Sequence, residues 1–152
     1  VPITAGRDVS LGKYRVRALP AAHEALGEAC LYAIAGPDAT MLWATDTGPW
    51  ARGVKEMLAG TRLDLVCMEQ TFGERDDLTE GKHHSLRTFA EAVAQLREWG
   101  SATGTTDVVA VHLGHHNPPP ELLYLKLRDM GARAVPDGTP IIAGGVLSSL
   151  SL

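Results

Sequence analysis

The sequence contains no cluster of basic residues, no closely paired cysteines and no long apolar run. Its formal net charge is −4 at pH 7, and the absence of any Lys/Arg run argues against a surface that follows a nucleic-acid backbone. Cys30 and Cys67 lie in separate apolar segments, which favours buried thiols over a disulfide and leaves a C-x-x-C zinc site without support. No apolar run reaches the ~20 residues that span a membrane, and no signal peptide is recognisable, so we expect a cytoplasmic protein.

What remains is an ordinary globular composition arranged as alternating strands and helices. The chain has 152 residues, 45% of them hydrophobic and 21% charged, which is typical of one domain or a large part of one. Apolar periodicity predicts strands at 14–19, 29–35, 40–45, 63–68, 108–111, 132–135 and 139–143, and helices at 50–58, 85–99 and 118–130. A hairpin followed by strand–helix alternation predicts an α/β fold (α+β by some schemes) with a mixed sheet covered by helices.

The residues that can carry chemistry follow the predicted strands. His23, Asp46, Glu69 and His112 each come at or just after the end of a strand, and further histidines lie in the loops at His83, His84, His115 and His116. Loops at strand ends are the usual place for binding and catalytic groups. Imidazoles and carboxylates together suit a divalent transition metal. Because histidines are also common in loops, the spacing alone leaves a metal site and an ordinary loop composition both open.

Five segments resemble the later motifs of the metallo-β-lactamase superfamily, in the same order. They are ALPAAH (18–23), LWATDTG (42–48), DLVCMEQTFG (64–73), KHHSL (82–86) and VAVHLGHHN (109–117). They look most like the branch of the cyclic phosphodiesterase of phosphonate breakdown and the transfer-RNA 3′-processing nucleases. The hydrolase domain associated with cobinamide kinase in cobalamin biosynthesis looks closer still. The resemblance covers residues 8–143, so residues 1–143 are expected to form the C-terminal part of such a domain and 144–152 a tail.

The resemblance implies a metal-ligand role for three residues. His23 resembles the third histidine of the first metal site, Asp46 the carboxylate that bridges two metals, and His112 the histidine of the second site. The implied cofactor is a pair of Zn²⁺ ions, or of Mn or Fe ions. The alternatives are that Asp46 merely caps a turn and that His112 merely fills a loop.

Other residues have roles around these ligands in the same family. His83 resembles the histidine that donates a proton to the leaving group, and His84 ranks below it, one of the two being expected to lie exposed in solvent. His115, Glu69 and His84 are expected to orient a ligand or its loop, or to touch the substrate, and His116 is expected to be exposed. Glu69 could instead be purely structural.

The chain departs from the family because the H-x-H-x-D-H motif, which supplies ligands to both metals, is absent from it. We therefore expect half of a four-layered αββα sandwich, completed by a missing N-terminal half or by a second copy of the chain. The expected activity is hydrolysis of a small phosphodiester by a metal-bound hydroxide, with no membrane or nucleic-acid partner. The alternative is a non-catalytic domain of the same fold that acts in protein association. The sequence contains no G-x-S-x-G motif, which argues against a serine hydrolase.

Two geometric expectations follow from this interpretation. The ligating atoms of His23, Asp46 and His112 should lie within about 5–7 Å of one another, because metal–ligand bonds are near 2.0–2.2 Å. Apolar groups near Tyr14 and Ile34 should be exposed on the sheet face that the missing half would cover.

Overall fold

A computed structural model describes residues 4–23 and 29–144 of the chain. It contains one six-stranded sheet in which the strands lie in the same order as in the sequence. The strands are β1 (Asp8–Leu11), β2 (Tyr14–Pro20), β3 (Cys30–Ala35), β4 (Thr40–Ala44), β5 (Leu65–Glu69) and β6 (Asp107–Val111). The helices are α1 (Val54–Leu58), a 3₁₀ turn (Asp76–Leu78), α2 (Leu86–Glu98) and α3 (Pro120–Asp129).

The sheet is mixed, which confirms the predicted α/β class. β1 to β4 pair antiparallel, whereas β4, β5 and β6 pair parallel. Each parallel step requires a crossover, and α1 and α2 supply the two crossovers. Both helices pack with α3 on one face of the sheet, around a core that includes Leu42, Val66 and Met68. Because β2 and β4 both run antiparallel to β3, strands β2, β4, β5 and β6 all end at the same edge.

Helix α2 forms for the reasons that its sequence indicates. Ser85 caps its first turn by accepting a hydrogen bond from the Thr88 amide, while the Thr88 hydroxyl accepts one from the Ser85 amide. Its predicted apolar face is buried, with Phe89 and Leu96 fully covered. Gly100 follows the helix with φ of 73°, the left-handed conformation that glycine adopts most easily.

Three element predictions need correction. Helix α1 begins at Val54 rather than Trp50, whose indole N–H instead donates to the carbonyl of Ala92. β1 was not predicted, since its four residues DVSL are mostly exposed and gain their order from pairing with β2. The strands predicted at 132–135 and 139–143 are absent apart from a single bridge between Arg133 and Val109. Prolines at 136 and 140 lack the amide hydrogen that a strand ladder needs.

The face of the sheet opposite the helices is only partly covered. Over β5 and β6, Val135, Ile141 and Ala143 pack against Leu65, Cys67 and Val109. Over β1 to β4 the same face leaves large side chains open, with Tyr14 45% and Trp43 40% exposed, while Ile34 is half-buried. Within the described residues, no helix is long and apolar enough to cross a membrane. The predicted tail lies, apart from Gly144, outside the described residues.

Candidate metal centre

The candidate site lies along the edge where β2, β4, β5 and β6 end. His23 follows β2, Asp46 follows β4, Glu69 is the last residue of β5 and His112 follows β6. The topology alone therefore brings together four of the residues that the sequence places at strand ends. His83 joins them from the loop between β5 and α2.

Two of these residues have an unusual backbone conformation. Asp46 and His112 have φ angles of 51° and 54°, and only Glu80 shares the left-handed region among the described non-glycine residues. Backbone conformations of this kind cost of order 1–3 kcal/mol and cluster at functional sites. The chain thus maintains a costly geometry at two of the predicted ligands.

Donor atoms of the predicted ligands and of His83 lie close to one another in pairs and in two groups of three. His112 Nε2 lies 3.3 Å from Asp46 Oδ1, and His23 Nε2 lies 3.3 Å from His83 Nε2. One donor atom each from His23, Asp46 and His83 lies within 4.8 Å of the others, and the same holds for Glu69, His83 and His112. His83, predicted from the resemblance as a proton donor, therefore stands among the possible ligands.

The donor set fits a divalent transition metal. Imidazole nitrogens and carboxylate oxygens are the ligands of Zn²⁺, Mn²⁺ and Fe²⁺ sites. Two ligands of a tetrahedral ion with bonds of 2.0–2.1 Å stand about 3.3–3.4 Å apart, which matches the His112–Asp46 and His23–His83 separations of 3.3 Å. The residues present could therefore hold metal at this edge, and the assignment of each as a ligand stays a prediction.

Glu69 is a completely buried carboxylate behind the histidines. Its Oε1 accepts the backbone N–H of His84 at 2.9 Å, and its Oε2 lies 3.1 Å from Nδ1 of His83 and in contact with the Thr71 hydroxyl. Burial raises the pKa of Glu69, and the hydrogen bonds from Thr71, His83 and the His84 amide oppose that rise. The Glu69 carboxylate therefore contacts both a histidine and the loop backbone, the two kinds of partner that the sequence analysis considered for it.

His84 is not exposed, contrary to the expectation that one of the adjacent histidines would be. It is completely buried, while the side chain of His83 is 21% exposed. His84 Nδ1 lies 3.1 Å from the Thr88 hydroxyl, and its Nε2 has no hydrogen-bond partner within the described residues. Burial, helped by the neighbouring His83, lowers the pKa of His84 to about 4. His84 therefore stays neutral at physiological pH.

The last two histidines lie beside the site rather than in it. His115 is exposed and packs on His116, with ring centroids 4.1 Å apart. His116 was expected to be exposed, but it is half-buried against Phe72. Neither belongs to the groups of converging donor atoms in residues 4–23 and 29–144.

Several residues that the sequence did not single out hold the loops in place. The Asn117 side-chain N–H groups donate to the carbonyls of Gln70, Thr71 and Gly114, which ties the His112 loop to the end of β5. Thr47 accepts the Ala22 amide at 3.0 Å and so joins the Asp46 and His23 loops. The sequence indicates these residues only weakly, as small polar residues within a few positions of the predicted ligands.

Close backbone approach explains two glycines in these loops. A Cβ added to Gly48 would lie 2.1 Å from the carbonyl oxygen of Gly81, and one on Gly114 would lie 2.3 Å from that of Thr71. Any side chain at either position would force two loops of the site apart.

A cavity of about 620 Å³ opens beside His112. Leu113, Tyr124, Val135 and Ile141 form its apolar lining, and Asp137 and Thr139 add polar groups. Its volume falls within the range of small-molecule sites.

Comparisons with known proteins show the fold. No protein-family model and no curated protein matches the sequence. Among solved structures, the chain is similar to the metallo-β-lactamase fold protein YhfI from Bacillus subtilis, with 14% identity and a TM-score of 0.65 over 89% of this chain and 52% of YhfI. It is also similar to Zn²⁺-bound PqqB from Methylobacterium extorquens, with 12% identity and a TM-score of 0.63 over 90% of this chain and 53% of PqqB.

A third similar structure is Igni18, a metallo hydrolase from Ignicoccus hospitalis, with 14% identity and a TM-score of 0.61 over 89% of this chain and 56% of that one. At these identities the likeness shows that the chain has the metallo-β-lactamase fold. The chain spans about half the length of each of the three structures.

Proposed function

We propose that this chain is part of a metal-dependent hydrolase that cleaves a small phosphodiester. The observation that carries the proposal is that His23, Asp46, His83 and His112 lie at one sheet edge, where the His23–His83 and Asp46–His112 pairs of donor atoms are each 3.3 Å apart. The metal dependence of the similar structures supports it: PqqB is Zn²⁺-bound and Igni18 is a metallo hydrolase.

In this proposal His23, Asp46 and His112 hold a pair of divalent ions, Zn²⁺ or alternatively Mn or Fe. Bound metal supplies water that is acidic enough to act as a nucleophile near neutral pH and neutralises charge on the ester oxygens. Three side chains are too few to close two such sites. We therefore infer that further ligands come from residues outside this chain or from a second copy of it.

His83 is proposed as the proton donor to the leaving alkoxide. Glu69 Oε2 holds the ring from the Nδ1 side at 3.1 Å, which leaves Nε2 directed at the space shared with His23. An alkoxide departs poorly without a proton, and a positioned acid contributes about 10²–10⁴-fold to such a reaction. The same geometry would let His83 act as a ligand, so the experiment must separate the two roles.

A small substrate suits the surroundings of the site. The cavity of about 620 Å³ beside His112 offers apolar and polar walls for the organic group of an ester. The net charge of −4 disfavours a long polyanion. The phosphodiester itself rests on the resemblance of the KHHSL segment to the phosphodiesterase branch.

The open sheet face favours the alternative, a non-catalytic domain that associates with a partner. Tyr14 and Trp43 are exposed on the same face, and apolar patches of this kind mark association sites. Association and catalysis are compatible if the partner is the remaining half of the fold. Sedimentation analysis should show self-association or a complex that Trp43→Lys weakens; a monomer unchanged by that substitution would contradict this proposal.

Metal analysis of the protein in its longest expressed form is the direct test of the function. Asp46→Ala should lose metal and activity together, because Asp46 would be a ligand of the metal that supplies the nucleophile. Asp38→Ala is the matched control, since Asp38 is exposed in the β3–β4 turn. Wild-type protein without stoichiometric metal, or full metal content in Asp46→Ala, would overturn the proposed site.

His83→Ala separates the acid from a ligand. It should retain metal, and turnover of an alkyl phosphodiester should fall by about 10²–10⁴-fold. An activated nitrophenyl ester should slow much less, because nitrophenolate leaves without a proton. Loss of metal, or equal slowing of both esters, would identify His83 as a ligand or binding group instead.

A further inference from the structure

The Thr71 hydroxyl lies between the buried carboxylate and the ring of His112. Thr71 Oγ1 contacts Glu69 Oε2, and it lies 2.9 Å from Nδ1 of His112 and 3.3 Å from the His112 carbonyl oxygen. His112 Nδ1 itself is 3.6 Å from Glu69 Oε2, beyond a good hydrogen bond. The hydroxyl is therefore the link between the carboxylate and this imidazole.

The direction of the hydrogen bonds follows from the donors around Glu69. Its Oε1 accepts the His84 amide at 2.9 Å, and its Oε2 accepts the Thr71 hydroxyl and faces the His83 ring at 3.1 Å. The single hydroxyl proton of Thr71 then goes to Oε2. With its one proton in the hydrogen bond to Glu69, the Thr71 hydroxyl oxygen can act only as an acceptor toward Nδ1 of His112, 2.9 Å away. Nδ1 of His112 must then carry the proton.

The opposite side of the ring presents a competing partner. His112 Nε2 faces the Asp46 carboxylate at 3.3 Å, and in metal-free protein that carboxylate would favour a proton on Nε2. A proton there would occupy the lone pair that a metal needs. The two sides of the ring therefore compete for the one proton of neutral imidazole.

We propose that Thr71 is a positioning residue that fixes His112 in its Nδ1–H form, so that Nε2 is free to bind metal. The inference rests on the proposed metal site and adds a residue that sets the ligand atom. The Thr71 backbone is held independently of the hydroxyl, because its amide donates to the His84 carbonyl at 3.1 Å and its carbonyl accepts from Asn117 at 3.4 Å. Thr71→Val can thus remove the hydroxyl while the loop stays in place.

Nitrogen NMR of the ¹⁵N-histidine-labelled, metal-free protein tests the proposal. At about pH 8, above the ordinary histidine pKa of about 6.5, two-bond couplings report which ring nitrogen carries the proton. Wild type and Thr71→Ser should show His112 as Nδ1–H. Thr71→Val should shift His112 toward Nε2–H while His83, which contacts Glu69 directly, remains unchanged.

Zinc affinity provides the second measurement. Outer hydrogen-bond partners of metal-bound histidines typically change metal affinity 10–100-fold, so Thr71→Val should weaken zinc binding by that factor and Thr71→Ser should restore most of it. Thr61→Val is the matched control, because the Thr61 hydroxyl makes no hydrogen bond within the described residues and lies outside the site.

Failure of this inference is distinguishable from failure of the proposed function. A wild-type His112 in the Nε2–H form would overturn the inference even if Thr71→Val did not fold. Unchanged tautomer and zinc affinity in folded Thr71→Val would overturn it as well. Wild-type protein that binds no zinc would contradict the metal site, while the tautomer spectrum would still decide the role of Thr71.

Discussion

Gly48→Ala should loosen the candidate site by a purely steric route. Gly48 lies two residues after Asp46, and its added Cβ would stand 2.1 Å from the Gly81 carbonyl oxygen and 2.5 Å from the carbonyl carbon. Both atoms belong to backbone, so no side-chain rotation can relieve the contact. The loop that carries Asp46 and the loop that leads to His83 must move apart by roughly 1 Å to restore van der Waals distance.

The expected magnitudes follow from that displacement. Overpacking of this kind typically costs about 1–3 kcal/mol of stability. The Gly48 amide also donates to the Ala22 carbonyl at 3.1 Å, so the strain should reach the loop that carries His23. We expect a lower urea midpoint in the metal-free protein and a loss of zinc affinity of about ten-fold or more, as for other disturbances of ligand orientation.

Gly104→Ala is the matched control for the same change of residue. No atom lies within 4 Å of a Cβ at Gly104, and its φ is outside the left-handed region. Alanine there should leave zinc affinity unchanged and raise stability by about 0.4–1 kcal/mol through the unfolded chain. If Gly48→Ala unfolds at the wild-type urea concentration and binds zinc equally tightly, the argument from loop contact is wrong.

Three further predictions concern the scaffold. Phe89→Ala should lower the free energy of unfolding by about 3–5 kcal/mol, because Phe89 is fully buried between α2 and the sheet; a loss below 1 kcal/mol would contradict that packing. The pKa of His84 is lowered to about 4 in the folded metal-free protein, so the unfolded chain takes up the proton first as the pH falls. His84 should therefore contribute about 3 kcal/mol to the free energy of unfolding above pH 6.5, and this contribution should be lost as the pH falls toward 4. His84→Asn should flatten this part of the profile of stability against pH, and an unchanged profile would refute the prediction. Burial raises the pKa of the Cys67 thiol to about 11, so iodoacetamide at pH 8 should modify the half-buried Cys30 and spare Cys67 until the protein unfolds, as mass spectrometry of the labelled peptides can show.

Much of the fold could be predicted from local patterns, because its main elements obey local rules. The hairpin of β3 and β4 follows from two apolar runs separated by Gly36-Pro37-Asp38, and α2 follows from its Ser85 cap and its 3.6-residue apolar period. β1 could not be predicted in this way, since its order depends on pairing with β2 across the turn. The segment 132–143 was wrongly predicted as strands because its apolar residues are buried by packing against β5 and β6, not by pairing in a ladder.

Some features of the candidate site could likewise be predicted from the sequence, and others could not. Strand-end positions identified His23, Asp46, Glu69 and His112 because parallel strands deliver their ends to one edge. The burial of His84 could not be predicted, since it depends on how the loop folds back over β5, where the His84 carbonyl accepts the amides of Thr71 and Phe72. Hydrogen-bond partners such as these are set by tertiary geometry, which the linear spacing of residues does not contain.

The structural features that lower stability lie at the proposed metal site. Asp46 and His112 adopt left-handed backbone angles. Glu69 is buried beside His83 and His112, and Gly48 and Gly114 permit loop contacts closer than any side chain would allow. None of these residues belongs to the apolar core that packs between the sheet and its three helices. A scaffold selected only for association would gain stability by relaxing each one, so their combination at a single edge favours a site that binds a ligand.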